Sequence, residues 1–234
     1  MEKKIKSVTP FSRLEGKERS KIVRHHISLT AIYKILAVGL SFFAIPFTIN
    51  YLDIEQYGIW MTLLSVISWF TFFDIGLGHG LRNKLTEAIA IEDMQLAKTY
   101  ISTAYFAIAL ISTLLFIIFV IVFPFLPLEG IFNIKSPNNA DLSNAVFSIF
   151  FFFSINFIFS LCQQIFYSYQ KASLVTFQQV LSSLISLIGV LILIHYTTGG
   201  LFYLSITYGG AMLLSNLILT YFFFSKKING VRLD

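Results

Sequence analysis

The sequence predicts an all-α integral membrane protein that crosses a bilayer six times, and three observations predict it. Hydrophobic residues make up 56% of the 234 positions and charged residues 12%, against roughly 45–50% and 25% in soluble domains. Six apolar stretches divide the chain, each close to the ~20 residues a helix needs to cross a ~30 Å hydrocarbon core. Lys and Arg gather in alternate connections between those stretches, as the positive-inside rule requires. With 26 Phe and a mean hydropathy of +0.76, a soluble fold would carry too thin a charged coat for its apolar surface. Strands of a membrane barrel would be about half as long and would alternate in polarity.

The first 26 residues form a polar, basic tail holding Lys3, Lys4, Lys6, Arg13, Lys17, Arg19, Lys21 and Arg24. The expected spans then cover 27–49, 57–75, 100–123, 142–167, 174–195 and 201–224, so that a transmembrane unit over 27–224 is followed by a tail over 225–234. The first span does not read as a removable signal peptide. Its leading region is too long, its apolar core exceeds the usual ~7–15 residues, and no small-residue cleavage site follows. The short connection from Tyr51 to Tyr57 makes the first two spans an expected antiparallel pair.

Of the 17 basic residues, 15 fall on one side of this arrangement: the N-terminal tail, Arg82, Lys84, Lys98, Lys171, Lys226, Lys227 and Arg232. The other side has only Lys135, in the loop with Pro124, Pro127 and Pro137, and Lys34 lies inside the first span. This asymmetry predicts both tails on the cytoplasmic side. It also accounts for the net charge of +5 through topology and contact with anionic lipid, with no nucleic acid as partner. Tyr51, Tyr57 and Trp60 at one boundary, and Tyr100, Tyr167 and Tyr169 at the other, suit the headgroup level.

Most spans carry small or polar residues at steps of three and four. The first has Thr30, Lys34, Ala37 and Ser41, and the third has Ser102, Tyr105, Ala109 and Ser112. The fourth has Asn156, Ser160, Gln163 and Tyr167; the fifth Gln178, Ser182, Ser186 and Gly189; the sixth Ser205, Gly209, Asn216 and Thr220. Such steps put the groups on one helix face. Two readings stay open. The faces are glue between helices, or Asn156, Gln163, Gln178 and Asn216 line a pathway for a hydroxyl-rich ligand.

Two ionisable groups are expected at membrane depth, Lys34 and Asp74. Charge there is costly, so the two pair with each other, or serve ion coupling or substrate contact. The segment from Asp74 to Leu85 contains Gly76, Gly78 and Gly80. It is not a dinucleotide fingerprint, because a membrane span precedes it and the spacing is G-x-G-x-G. The glycines are expected to end the second span in a sharp turn, after which Leu85, Ala88 and Ile89 form the apolar edge of a short surface helix. Arg82 and Lys84 would touch anionic headgroups or mark a cytoplasmic entrance. His79 and His195 are expected at the interface. No nucleophile elbow, P-loop, exposed Ser/His/Asp set or Cys/His cluster occurs, and the one cysteine, Cys162, sits in an apolar run. The expectation is therefore a non-enzyme with no cofactor and no metal.

The run Ile45-Pro46-Phe47 to Tyr51-Leu52, then Glu55-Gln56-Tyr57-Gly58-Ile59-Trp60-Met61-Thr62-Leu63, resembles the opening of the bacterial polysaccharide and O-antigen repeat-unit flippases. The stretch from Phe73 to Ala88 strengthens the resemblance. These proteins belong to the multidrug/oligosaccharidyl-lipid/polysaccharide exporter superfamily. The likeness over roughly 40–95 implies that the six helices are the N-terminal lobe of a two-lobed exporter in the bacterial inner membrane. It implies flipping of an undecaprenyl-pyrophosphate-linked oligosaccharide between leaflets, with the sugar in a polar cavity and an ion gradient as driving force. The expected partners are that lipid-linked oligosaccharide, membrane lipids, and a second six-helix lobe or a second copy of the chain. The sequence stops at Asp234, where such a lobe would begin, so the expectation is a fragment, a truncated product or a half-transporter. A multidrug or cation antiporter of the same superfamily, or a non-transporting subunit of a polysaccharide assembly complex, are the alternative readings.

Overall fold

The computed structural model describes residues 16–70, 72–132 and 139–225. The described residues are helical nearly throughout: α1 (Gly16–Leu52), α2 (Ile54–Phe70), α3 (Phe72–Ala90), α4 (Met94–Val122), a 3-10 turn (Phe123–Phe125), α5 (Leu128–Phe132), α6 (Asn139–Phe159), α7 (Leu161–Ser168), α8 (Ala172–Tyr196) and α9 (Leu201–Ser225). Within lipid the backbone must satisfy its own hydrogen bonds, and a helix does so locally.

Five of the described stretches are long and apolar enough to cross a membrane: Ile27–Leu52, Met94–Phe125, Ala140–Ser168, Ala172–Tyr196 and Leu201–Tyr221. The expected second span, 57–75, runs through α2 and across residue 71 into α3. Residue 71 lies outside the described residues, and α2 alone has 17 residues, about 25 Å of helix. The basic tail residues before residue 16 and after residue 225, and Lys135, also lie outside the described residues.

Three of the turns are closed by single non-glycine residues of positive φ: Asp53 (φ 74), Glu92 (φ 59) and Gln170 (φ 58). Glu92 and Gln170 are alike. In each case the next residue's N–H reaches back five positions, Asp93 to the Ala88 carbonyl (3.0 Å) and Lys171 to the Phe166 carbonyl (2.9 Å). That is the Schellman closure of a helix C-terminus. Asp53 works differently, its carboxylate accepting from the Gln56 N–H at 2.9 Å to cap α2.

The glycine-rich segment corrects the expected turn. Gly76, Gly78 and Gly80 lie inside α3, and a Cβ at Gly76 or Gly80 would meet nothing within 4 Å. Glycine costs a helix about 1 kcal/mol each, but packing further along overrides that. Leu81, Leu85 and Ala88 are buried in one apolar cluster with Leu161, Cys162 and Ile165. The expected surface helix is thus the second half of α3, and the edge assigned to the membrane surface packs on α4 and α7. The expected fourth span is also interrupted, at Ser160, between α6 and α7.

The expected first hairpin is corrected too. α1 lies chiefly against α8 and much less against α2. Ala37, Ala44 and Thr48 are buried on that face, with Ser41 Oγ 3.4 Å from Ser183 Oγ and Tyr51 Oη 2.7 Å from Thr197 Oγ1. α6 pairs with α9, and α9 with α8. Two apolar clusters anchor the ends. One gathers Leu52, Trp60, Ile149, Leu201 and Leu204, and the other gathers Leu85, Ile108, Phe166 and Val175.

Candidate functional site

An apolar helix gives an amide side chain no way to use both its donors and its acceptor on its own backbone. Asn156 on α6, Gln163 on α7, Gln178 on α8 and Asn216 on α9 meet that demand with one another. Gln163 Nε2 donates to Asn216 Oδ1 (3.2 Å) and Gln178 Oε1 (3.4 Å). Asn216 Nδ2 donates to Asn156 Oδ1 at 2.9 Å. Asn156 Nδ2 in turn donates to the carbonyls of Phe152 (2.9 Å) and Gly209 (3.4 Å). At the other end Gln178 Nε2 donates to Ser215 Oγ at 2.8 Å, and that hydroxyl donates to the Met212 carbonyl at 2.9 Å.

The four amides singled out in sequence therefore come together as one network across four helices. Asn156, Gln178 and Asn216 are 4%, 3% and 1% exposed, whereas Gln163 is partly exposed. Close backbone approach makes room for it. A Cβ on Gly209 would run into the Phe152 side chain, and one on Gly189 into Thr207. The third expected stripe is likewise used between helices, with Ser112 Oγ donating to the Ser154 carbonyl on α6 at 2.7 Å.

Lys34 stands apart from these groups. It is exposed on the flank of the α8-facing side of α1, and no described carboxylate pairs with it. The Asp74 side chain, its expected partner, lies outside what the structure describes.

α2 carries a polar stripe of another kind, which the sequence reading did not single out. Ile59, Trp60 and Leu63 are buried, while Gly58, Thr62 and Ser65 are exposed on the opposite side. Each hydroxyl donates to its own helix, Thr62 to the Gly58 carbonyl (2.9 Å) and Ser65 to the Met61 carbonyl (2.8 Å). The signal was present in the steps 58, 62 and 65. The exposed side of α4 is more apolar: it carries Phe106, Leu110, Leu114, Ile117, Ile118 and Ile121 around Thr99, Thr103 and Thr113, whereas α2 exposes Met61 and Val66 beside its hydroxyls.

Asp141 was also missed. Its carboxylate accepts from the N–H groups of Leu201 (2.8 Å) and Phe202 (3.3 Å), capping α9 from the first turn of α6. The chain enters α9 through Gly199 (φ 97) and Gly200 (φ 142). The positive φ selects glycine at Gly200, where a Cβ would make ordinary contact with Asp141 Oδ1 at 3.4 Å.

Arg82 and Lys84, expected to act alike, sit in different surroundings. Lys84 is bound to Glu87 at 3.1 Å on an exposed surface, and that hydrogen bond raises its pKa. The Arg82 guanidinium lies over the Tyr167 ring, 4.8 Å from its centroid, and the Arg82 carbonyl accepts from Ser168 Oγ at 3.1 Å. Among the described residues no group of three His, Cys, Asp or Glu could hold a metal ion.

The chain matches the family described as polysaccharide biosynthesis protein over residues 23–233. A Yersinia pseudotuberculosis protein provisionally named for O-antigen export is 24% identical over 155 residues, covering 66% of this chain and 35% of that protein. A Salmonella typhi protein provisionally named an O-antigen transporter is 28% identical over 186 residues, covering 75% of this chain and 40% of its own length. The matched region thus spans well under half the length of these relatives. No solved structure matches. Together with the five apolar helices, the family match makes the chain a multi-pass membrane protein, in agreement with the likeness carried by residues 45–88.

Proposed function

We propose a transport role for this chain, which belongs to the polysaccharide biosynthesis protein family. It forms the N-terminal part of a transporter that moves undecaprenyl-pyrophosphate-linked oligosaccharide units from the inner to the outer leaflet of a bacterial inner membrane. Both tails lie in the cytoplasm, on the side that holds 15 of the 17 basic residues. The helices that complete the pathway belong to a second lobe or a second copy of the chain.

The observation that carries the reading is the exposed side of α2. Thr62 and Ser65 occupy it with Met61 and Val66, a more polar side than that of α4, where Phe106, Leu110 and Ile118 outnumber the exposed Thr103 and Thr113. A hydroxyl bonded to its own helix keeps acceptor capacity and can exchange its hydrogen bond with a sugar hydroxyl. The buried amides then hold α6, α7, α8 and α9 as a unit against which α2 stands, and Lys34 and Asp74 are proposed for ion coupling or substrate contact. The chemistry is movement without covalent change, so the chain is proposed to be a non-enzyme.

Complementation of a flippase-null strain tests the reading. The chain co-expressed with a second lobe is expected to restore surface polysaccharide, and Thr62→Leu with Ser65→Leu to remove it while the protein accumulates normally. Restoration by the double variant would overturn the role of α2. Ion-dependent efflux of aromatic cations without restored polysaccharide would favour the antiporter reading. Failure to restore polysaccharide in the null strain, together with a change in polysaccharide yield when the chain is expressed beside a working flippase, would favour a subunit of the assembly complex.

A further inference from the structure

At the end of the molecule where α3 passes into α4 and α7 into α8, the negative groups have partners. Glu87 is bound to Lys84 at 3.1 Å, Asp93 accepts from the Leu96 N–H at 2.9 Å, and Glu92 is engaged as well. Two cations at the same end have no carboxylate among the described residues. Arg82 rests on Tyr167, and Lys171 follows four residues later in the turn that the Lys171 N–H closes onto the Phe166 carbonyl. Ser168 ties that turn to the Arg82 backbone, so the backbones that carry the two cations belong to one local structure.

A guanidinium laid over an aromatic ring is fixed in orientation while its edge N–H groups stay free for the two-point contact that phosphate accepts. Lys171 is half-buried, and burial lowers its pKa with no opposing charge to restore it. Half-buried positive charge without a counter-charge is costly in a protein unless a ligand brings one. Tyr167 packs with Tyr100 and Tyr169 against one apolar cluster, and such a group of tyrosines suits a ligand held at the membrane surface.

We propose that Arg82, Tyr167 and Lys171 form a site for the phosphate group of a membrane lipid. The site separates Arg82 from Lys84, which is neutralised by Glu87 and takes no part. Two lipids offer the chemistry, a bulk anionic phospholipid and a polyprenyl pyrophosphate. Only the second depends on the transport reading above.

Native mass spectrometry of the purified full chain, titrated separately with phosphatidylglycerol and with undecaprenyl pyrophosphate, tests the site. Arg82→Ala and Lys171→Ala are each expected to weaken binding about tenfold, the loss of one charge-assisted contact. Lys84→Ala should stay within about twofold, as exposed paired charges do. Lys171 makes no side-chain bond among the described residues, so Lys171→Ala carries the test if Arg82→Ala fails to accumulate. A loss confined to undecaprenyl pyrophosphate assigns the site to the carried lipid. A loss confined to phosphatidylglycerol assigns it to the bulk bilayer, and a loss for both assigns it to phosphate in general. Equal weakening by Lys84→Ala would overturn the proposal in favour of diffuse surface charge, as would unchanged binding in Lys171→Ala. Because binding is read without transport, failure of the flippase reading leaves this result standing.

Discussion

The amides shared by α6 to α9 and the hydroxyls of α2 are both polar groups on apolar helices, yet their surroundings are opposite. Asn216 is almost wholly buried and bonded on both sides to other helices. Thr62 and Ser65 are exposed and bonded only to their own helix. The difference follows from the side chains themselves. A hydroxyl can donate to the carbonyl one turn back, so it can stand wherever its helix puts it. An amide has two donors and an acceptor to satisfy, and its own helix takes only part of that demand, as the Phe152 carbonyl does for Asn156. Buried amides such as Asn156 and Asn216 therefore report where helices meet, while a hydroxyl can stand on a packed or an exposed face.

Four changes break or sharpen that contrast. Gly209→Leu should act most strongly, because its side chain would push into Phe152 and part α6 from α9. A loss of about 3 kcal/mol is expected, read as a lower unfolding temperature in detergent and less protein in the membrane. Asn216→Leu should cost about 1–2 kcal/mol, leaving Gln163 and Asn156 each short of a partner. Its combination with Asn156→Leu should cost less than the sum of the two, and strict additivity would deny that they form one network. Asp141→Ala, which uncaps α9, should cost about 1 kcal/mol, read in the same melt. Thr62→Leu should change stability by no more than about 0.5 kcal/mol while transport is lost. In the same region, Thr62→Cys should react with a membrane-impermeant maleimide, while Asn156→Cys and the buried native Cys162 should not. Labelling of Asn156→Cys would show that the network opens to water.

The apolar runs located the long helices closely, with α8 at Ala172–Tyr196 and α9 at Leu201–Ser225 against expected spans of 174–195 and 201–224. The four amides were also readable, because steps of three and four place them on faces that must find company. Their mutual hydrogen bonds were not readable, since spacing within a helix says nothing about which helix lies opposite. For the same reason α1 was paired with its neighbour in sequence, when the buried face of Ala37, Ala44 and Thr48 fits α8. The glycine segment misled because local propensity argued for a turn, while Leu81, Leu85 and Ala88, packed on α4 and α7, held the helix together. Asp141 gave no signal, because a cap supplied from 60 residues away has no local pattern. Arg82 and Lys84 looked equivalent until Glu87 and Tyr167 told them apart.

The pairing of α1 with α8 also has a consequence for biosynthesis. Leu52 ends α1, and Ala172 begins its principal partner 120 residues later. At roughly 5–20 residues per second, α1 emerges about 6–24 s before α8 exists. During that interval its polar groups must tolerate lipid or the insertion machinery alone. Ser41 and Thr48 are equipped for the wait, since each hydroxyl donates to its own helix, to the carbonyls of Ala37 and Ala44 at 2.9 and 2.8 Å. An asparagine at either place could use the same carbonyl, as Asn156 uses that of Phe152, but would still have a donor and an acceptor to satisfy. The order in which the ribosome delivers these helices thus suits hydroxyls on the buried face of the first, while the buried amides lie on α6–α9, whose partners arrive close together.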